Sequence, residues 1–226
     1  MLGEVNQMPA DLLVEGEDDE QIKMSKLGQL WTAGFRERLT AAGKVYSVTV
    51  GTLTTGADFA GILGGGGGTC LDSDQPEIII AVDAGYYLIP LEIKITGIGD
   101  LSTTLDEARI IAFGDRTAAT AAGATGTTET PVNLLDGGPA FPGRAFSAVT
   151  VDLTDPVMDE LFDVVIVKGQ GTLVAPVTVK MDYEPASPSI LAGPCNIVVC
   201  WGGTSQLYCV GKVVFACVPS TWFPVS

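Results

Sequence analysis

From residue 44 onward the sequence breaks into about eight or nine short segments, each alternating or wholly apolar, with turn residues and no helical spacing between them. Residues 44–53 set Val45, Ser47 and Thr49 on one side against Tyr46, Val48 and Val50 on the other, as a half-buried strand does. Residues 78–82 are continuously apolar and run through Asp83, Ala84 and Gly85 into 86–95, the pattern of a hairpin with glycine at its turn. Segments 108–113, 145–153, 161–168, 173–183, 195–201 and 206–218 have the same strand character. The last two are joined by Gly202, Gly203, Thr204 and Ser205 as a second hairpin. The stretches 117–130 and 136–143, rich in small residues and turn formers, read as loops. Strands that follow one another without crossover helices form antiparallel sheets. The expected fold class is therefore all-β: an antiparallel β-sandwich, a single jelly roll, with one N-terminal helix.

The first 43 residues differ from the rest. Residues 1–17 are acidic, hold Pro9 and have little periodicity, which predicts an extended arm. A helix is predicted over about 19–42, with Asp18 or Asp19 as N-cap and acids in the first turn facing the positive helix end. Ile22, Leu27, Leu30, Trp31, Phe35 and Leu39 form its apolar stripe, and Gly43 is placed to stop it. Gly28 and Gly34 each weaken such a helix by roughly 1 kcal/mol relative to alanine, so it needs a surface to lie on. Of this stripe Leu27, Trp31, Phe35 and Leu39 are the candidate interface residues. The chain thus divides into an arm and amphipathic helix, 1–43, and a β-sandwich, 44–226.

Composition constrains function mainly by exclusion. The chain contains no histidine, which removes imidazole general bases, Ser-His-Asp and Cys-His catalysis and histidine-based metal sites. Charged residues are only 17% of the chain, a share that points to surface covered by neighbouring subunits. Residues 1–20 hold seven acids and no base, 21–44 hold five bases against Glu37, and the remaining 182 residues hold 19 acids and 7 bases. A body of that sign repels phosphate, so no direct nucleic-acid binding is expected. No run of apolar residues is long enough to span a bilayer, and the acidic N-terminus is unlike a secretory leader, so synthesis in a cytoplasm is expected.

Candidate chemical motifs have simpler readings. The glycines at 64–68 are followed by Thr69-Cys70-Leu71, without the lysine that a phosphate loop requires. Asp72, Asp74 and Glu77 offer hard oxygens but not the spacing of a calcium loop. Cys195, Cys200, Cys209 and Cys217 have no zinc spacing and sit in apolar segments, which favours buried thiols. Paired carboxylates can hydrolyse glycosides without histidine, yet no pair stands out, and Trp31, Trp201 and Trp222 read as packing residues. No catalytic residue, cofactor or metal is expected.

Three stretches carry a family likeness: the arm Leu12-Leu13-Val14-Glu15-Gly16-Glu17-Asp18-Asp19 continuing through Trp31 and 36–44, the segment Leu71-Asp72-Ser73-Asp74-Gln75-Pro76-Glu77 opening a buried strand, and the Gly/Ala/Thr-rich body closing at 219–226. In these the chain resembles a structural protein of a bacteriophage or similar virus. The resemblance implies a jelly-roll coat subunit in a virion, non-enzymatic, a homo-oligomer in contact with other virion proteins. A decoration or head-fibre protein is the nearest alternative. A carbohydrate-binding or adhesin β-sandwich and a carboxylate-dependent hydrolase are the alternatives from other classes. The arm departs from coat proteins that hold genomes with basic arms, because it is acidic.

Overall fold

Alternating strands bury one face each, and wholly apolar strands bury both, so a chain made of the two needs a layer between its sheets and a cover outside them. The computed structural model describes residues 34–51, 57–59, 76–99, 107–116, 126–149, 156–168, 177–203 and 207–222. Helix α1 (Phe35–Ala41) is followed by β1 (Val45–Val50), β2 (Ala57–Phe59), β3 (Ile78–Val82), β4 (Tyr86–Gly99) and β5 (Glu107–Asp115). Next come the short β6 (Thr127–Glu129) and β7 (Val132–Asn133), then β8 (Arg144–Ser147), β9 (Glu160–Lys168) and β10 (Val177–Tyr183). The chain continues through β11 (Leu191–Ala192), β12 (Cys195–Gly203) and β13 (Leu207–Pro219) to a 3₁₀ turn, Ser220–Trp222.

The described strands form two antiparallel sheets, an all-β sandwich, with one α-helix among the described residues. The seven-stranded sheet runs β10-β4-β13-β1-β7, with β11 also on β4 and β2 on β13, and the six-stranded sheet runs β6-β8-β3-β12-β5-β9. The eight long strands pair in nested fashion: β1 with β13, β3 with β12, β4 with β10 and β5 with β9. Between the sheets Tyr46, Val48, Ile93, Ile95, Val213 and Phe215 meet Ile78, Ile80, Ile110, Ile197, Val199 and Trp201 in one buried cluster.

Two expected hairpins are corners between sheets instead. Asp83-Ala84-Gly85 joins β3 of the six-stranded sheet to β4 of the seven-stranded one, and the connection after Gly203 likewise joins β12 to β13 across the sheets. A short turn with glycine at positive φ (Gly85, +96°) suits either geometry. Strand pairing decides between them: β3 lies between β8 and β12, and β4 between β10 and β13, so neither edge is left for the other. Residues 127–129, expected within a loop, pair with β8 as a short strand.

The predicted helix stop holds. Gly43 takes φ +66°, and the amides of Gly43 and Lys44 donate to the carbonyls of Thr40 and Leu39, closing the last turn. The helix predicted over about 19–42 is not continuous through Gly34, which is extended (φ −67°, ψ 172°) and caps α1 at Phe35; residues 19–33 lie outside the described residues.

Candidate assembly surfaces

The outer face of the seven-stranded sheet is apolar in one half and charged in the other. Tyr87, Ile89 and Leu91 of β4, Val214, Ala216 and Val218 of β13, and Val45 of β1 form a second buried cluster, closed by Leu39 of α1 and flanked by Trp222. Lys44 Nζ lies 5.5 Å from the centre of the Trp222 ring, pinning the chain entry to the terminal turn. A register shift between Val214 and Phe215 makes a bulge in the β4–β13 ladder. There Leu91 joins the apolar half and Glu92 meets the helix.

Charges converge at Glu92. Its Oε2 accepts from Arg36 Nη2 at 2.9 Å, with Lys94 Nζ at 3.9 Å and Lys212 Nζ 4.0 Å from Oε1. Glu184, just past β10, takes Arg36 Nη1 at 3.3 Å and Lys94 Nζ at 3.1 Å, and Asp182 stands 3.8 Å from Lys94. Burial pushes the Glu92 carboxyl up, but the Arg36 hydrogen bond and the charges of Lys94, Arg36 and Lys212 outweigh it and hold the group below its ordinary 4.5.

Of the four candidate interface residues, Leu39 is only 4% exposed and lies on its own sheet, whereas Phe35 is 47% exposed at the start of the helix. Leu27 and Trp31 lie outside the described residues. The two described members of the stripe are therefore not equivalent: one packs on the sandwich and the other faces outward.

A larger apolar surface lies along β9, the edge strand of the six-stranded sheet. Phe162, Val165 and Val167 pack on the core between the sheets, while Leu161, Val164 and Ile166 are exposed, as are Val157 and Met158 just before the strand. Two features shape the edge itself. Asp163 Oδ1 accepts the Val164 amide at 2.8 Å within a bulge, and the Phe162 ring packs at a tilt against Tyr183 of β10, centroids 5.6 Å apart, across the gap between the two sheets. β9 thus presents an exposed apolar face at the end of its sheet. Leu161, Val164 and Ile166 are absent from the sequence-based candidates, although a signal for them exists. An edge strand with one wet face should alternate, and 161–167 carries apolar side chains on both faces with Asp163 the only interruption.

The opposite edge carries a second apolar patch. Val132 of β7, Leu134 and Leu135 are exposed there, on a loop organised by Asn133. The Asn133 Nδ2 group donates to the carbonyls of Gly43 (2.9 Å) and Pro139 (2.8 Å), and Oδ1 accepts from the Leu135 amide (2.9 Å). Leu134 N also donates to Val45 O at 2.9 Å, fastening the loop beside β1.

Asp115 and Asn196 are buried directly opposite one another on β5 and β12, with Asn196 Nδ2 donating to Asp115 Oδ2 at 2.9 Å. Cys195, Cys200, Cys209 and Cys217 are free thiols in the interior. Burial pushes Cys195 and Cys217 up to about 12 and Cys209 higher still, so they are protonated and unreactive at neutral pH. Among the described residues no three His, Cys, Asp or Glu side chains group as metal ligands. Glu77 is buried at the entry to β3, and Asp72 and Asp74 lie outside the described residues. No helix among the described residues is long and apolar enough to cross a membrane. Compared with known proteins, the chain matches no family model and no curated sequence.

Proposed function

We propose that the chain is a jelly-roll coat subunit that assembles with copies of itself into a virion shell. The nested pairing of eight strands supports the jelly roll, because it is the pairing made when one long antiparallel hairpin is rolled into two sheets. The observation that carries the assembly reading is the exposed stripe Leu161, Val164 and Ile166 on one edge of the sandwich, answered by Val132, Leu134 and Leu135 on the opposite edge. Patches on opposite edges cannot meet about a single two-fold axis. They favour head-to-tail neighbours, and such contacts close into rings when the rotation permits.

In this reading Phe35, with Leu27 and Trp31 of the same stripe, contacts a neighbouring subunit, while Leu39 anchors the helix on its own sheet. The acidic arm, with no base among residues 1–20, docks on a neighbour and does not hold the genome. The subunit is made in a host cytoplasm and resides in the virion, where it acts without enzymatic chemistry.

Negative-stain imaging of the purified protein tests this. Rings, capsomers or shells are expected, disrupted by deletion of residues 1–18 with the β body still folded. Particles no larger than single sandwiches, together with glycan binding, would favour a carbohydrate-binding module instead. Salt-sensitive DNA binding lost on deleting the arm would contradict the role given to it.

A further inference from the structure

We infer that α1 is an acid-releasable cover over the apolar half of the seven-stranded sheet, with Glu92 as the group that holds it shut. The helix has seven residues, and its N-cap, Gly34, makes no side-chain capping bond. A helix this short is not stable alone, so its attachment decides its state. Leu39 is its one buried residue, and Arg36 ties it ionically to Glu92 and Glu184 at once. Its C-terminal end turns at Gly43, whose positive φ gives the chain a corner about which the helix can leave without disturbing β1.

The arrangement is asymmetric in charge. Three cations, Arg36, Lys94 and Lys212, converge on the buried Glu92 carboxylate from α1, β4 and β13. Glu184 and Asp182, the other acids of the cluster, are exposed and reach Arg36 and Lys94 but not Lys212. The nearby Lys44 lies over Trp222, and the helix itself carries Glu37 and Arg38 on the flanks of Arg36. Protonating Glu92 removes the charge common to all three cations and leaves Arg36 and Lys94 to the exposed carboxylates of Glu184 and Asp182, where solvent screens the attraction. Of the three cations only Arg36 is carried by the helix, and its 2.9 Å bond to Glu92 is the shortest of the three, so the loss is felt at α1.

The direction in pH follows from the sign of the shift. Glu92 is held below its ordinary 4.5, so its contribution to docking is complete above that value and is lost as the pH falls through it toward the folded-state value. The helix then lifts, and the apolar surface that Leu39 covers in the second cluster is bared to solvent while the cluster between the sheets stays closed.

The test is binding of the dye ANS, which reports exposed apolar surface, followed from pH 7 to pH 3 beside far-UV circular dichroism. Dye fluorescence should rise several-fold below the ordinary carboxylate value while the β signal is unchanged. Glu92→Gln and Arg36→Gln should each bind dye at neutral pH, and Leu39→Ala should do the same by removing the apolar anchor. Glu184→Gln, a change at an exposed position that keeps Glu92, should move the dye transition to higher pH. Dye binding that rises only together with loss of the β signal would overturn the inference. So would a Glu184→Gln transition unmoved from the wild type.

Discussion

Phe162 on β9 and Tyr183 at the end of β10 pack with tilted rings, centroids 5.6 Å apart, and they do so across the two sheets rather than within one. The pair closes the sandwich on the side where both sheets end. Burial first, then the charges of Glu160 and Asp163, push the Tyr183 hydroxyl above its ordinary 10. A group raised in this way stabilises the fold fully below the unfolded value and loses that contribution as pH rises through it. Phe162→Ala should cost about 3 kcal/mol, and a double-mutant cycle with Tyr183→Ala should show coupling of about 1 kcal/mol by urea unfolding. The Tyr183→Phe variant should lose part of the late phase of the phenol absorbance titration, with Tyr46, which burial also raises, supplying the rest.

The four buried thiols should be silent in the native protein. At pH 8 a thiol reagent should leave Cys195, Cys200, Cys209 and Cys217 unmodified, as mass spectrometry of peptides would show, and should label all of them after denaturation. Rapid native labelling at Cys195 or Cys217 would contradict the burial that raises both.

Asn133 makes three hydrogen bonds that hold the patch of Val132, Leu134 and Leu135 beside β1. Asn133→Ala should cost about 1–2 kcal/mol in stability. It should also speed hydrogen exchange at the Leu134 and Leu135 amides, with exchange in β3 and β12 unchanged. Equal protection at Leu135 would show that the loop is held by other means.

The long strands were legible because each buries a pattern that its own residues carry. The apolar run at 78–82 became β3, and the segments expected at 161–168 and 206–218 became β9 and β13 with their ends moved by a residue. The short strands β2, β6, β7 and β11 were not legible, since two or three residues hold no periodicity and their pairing comes from a partner far along the chain. The two corners were misread for a related reason. Asp83-Ala84-Gly85 fixes a sharp reversal, but whether the next strand lies beside β3 or across from it depends on which strands fill the places at its edges. At the assembly surfaces the stripe through Leu39 pointed to the right element. It did not separate Leu39, which packs on its own sheet, from Phe35, which does not. The apolar face of β9 needed knowledge of which strand is an edge, and that is set by the whole topology.

Self-association through the β9 face is the claim on which the functional reading stands, and sedimentation equilibrium measures it most directly. The wild-type protein at tens of micromolar is expected to sediment as a multiple of 23.4 kDa. The double variant Leu161→Asp, Ile166→Asp changes two exposed positions, so it should keep the wild-type far-UV spectrum and sediment as the monomer. A wild-type protein that is monomeric throughout, or a double variant that assembles as the wild type does, would contradict it.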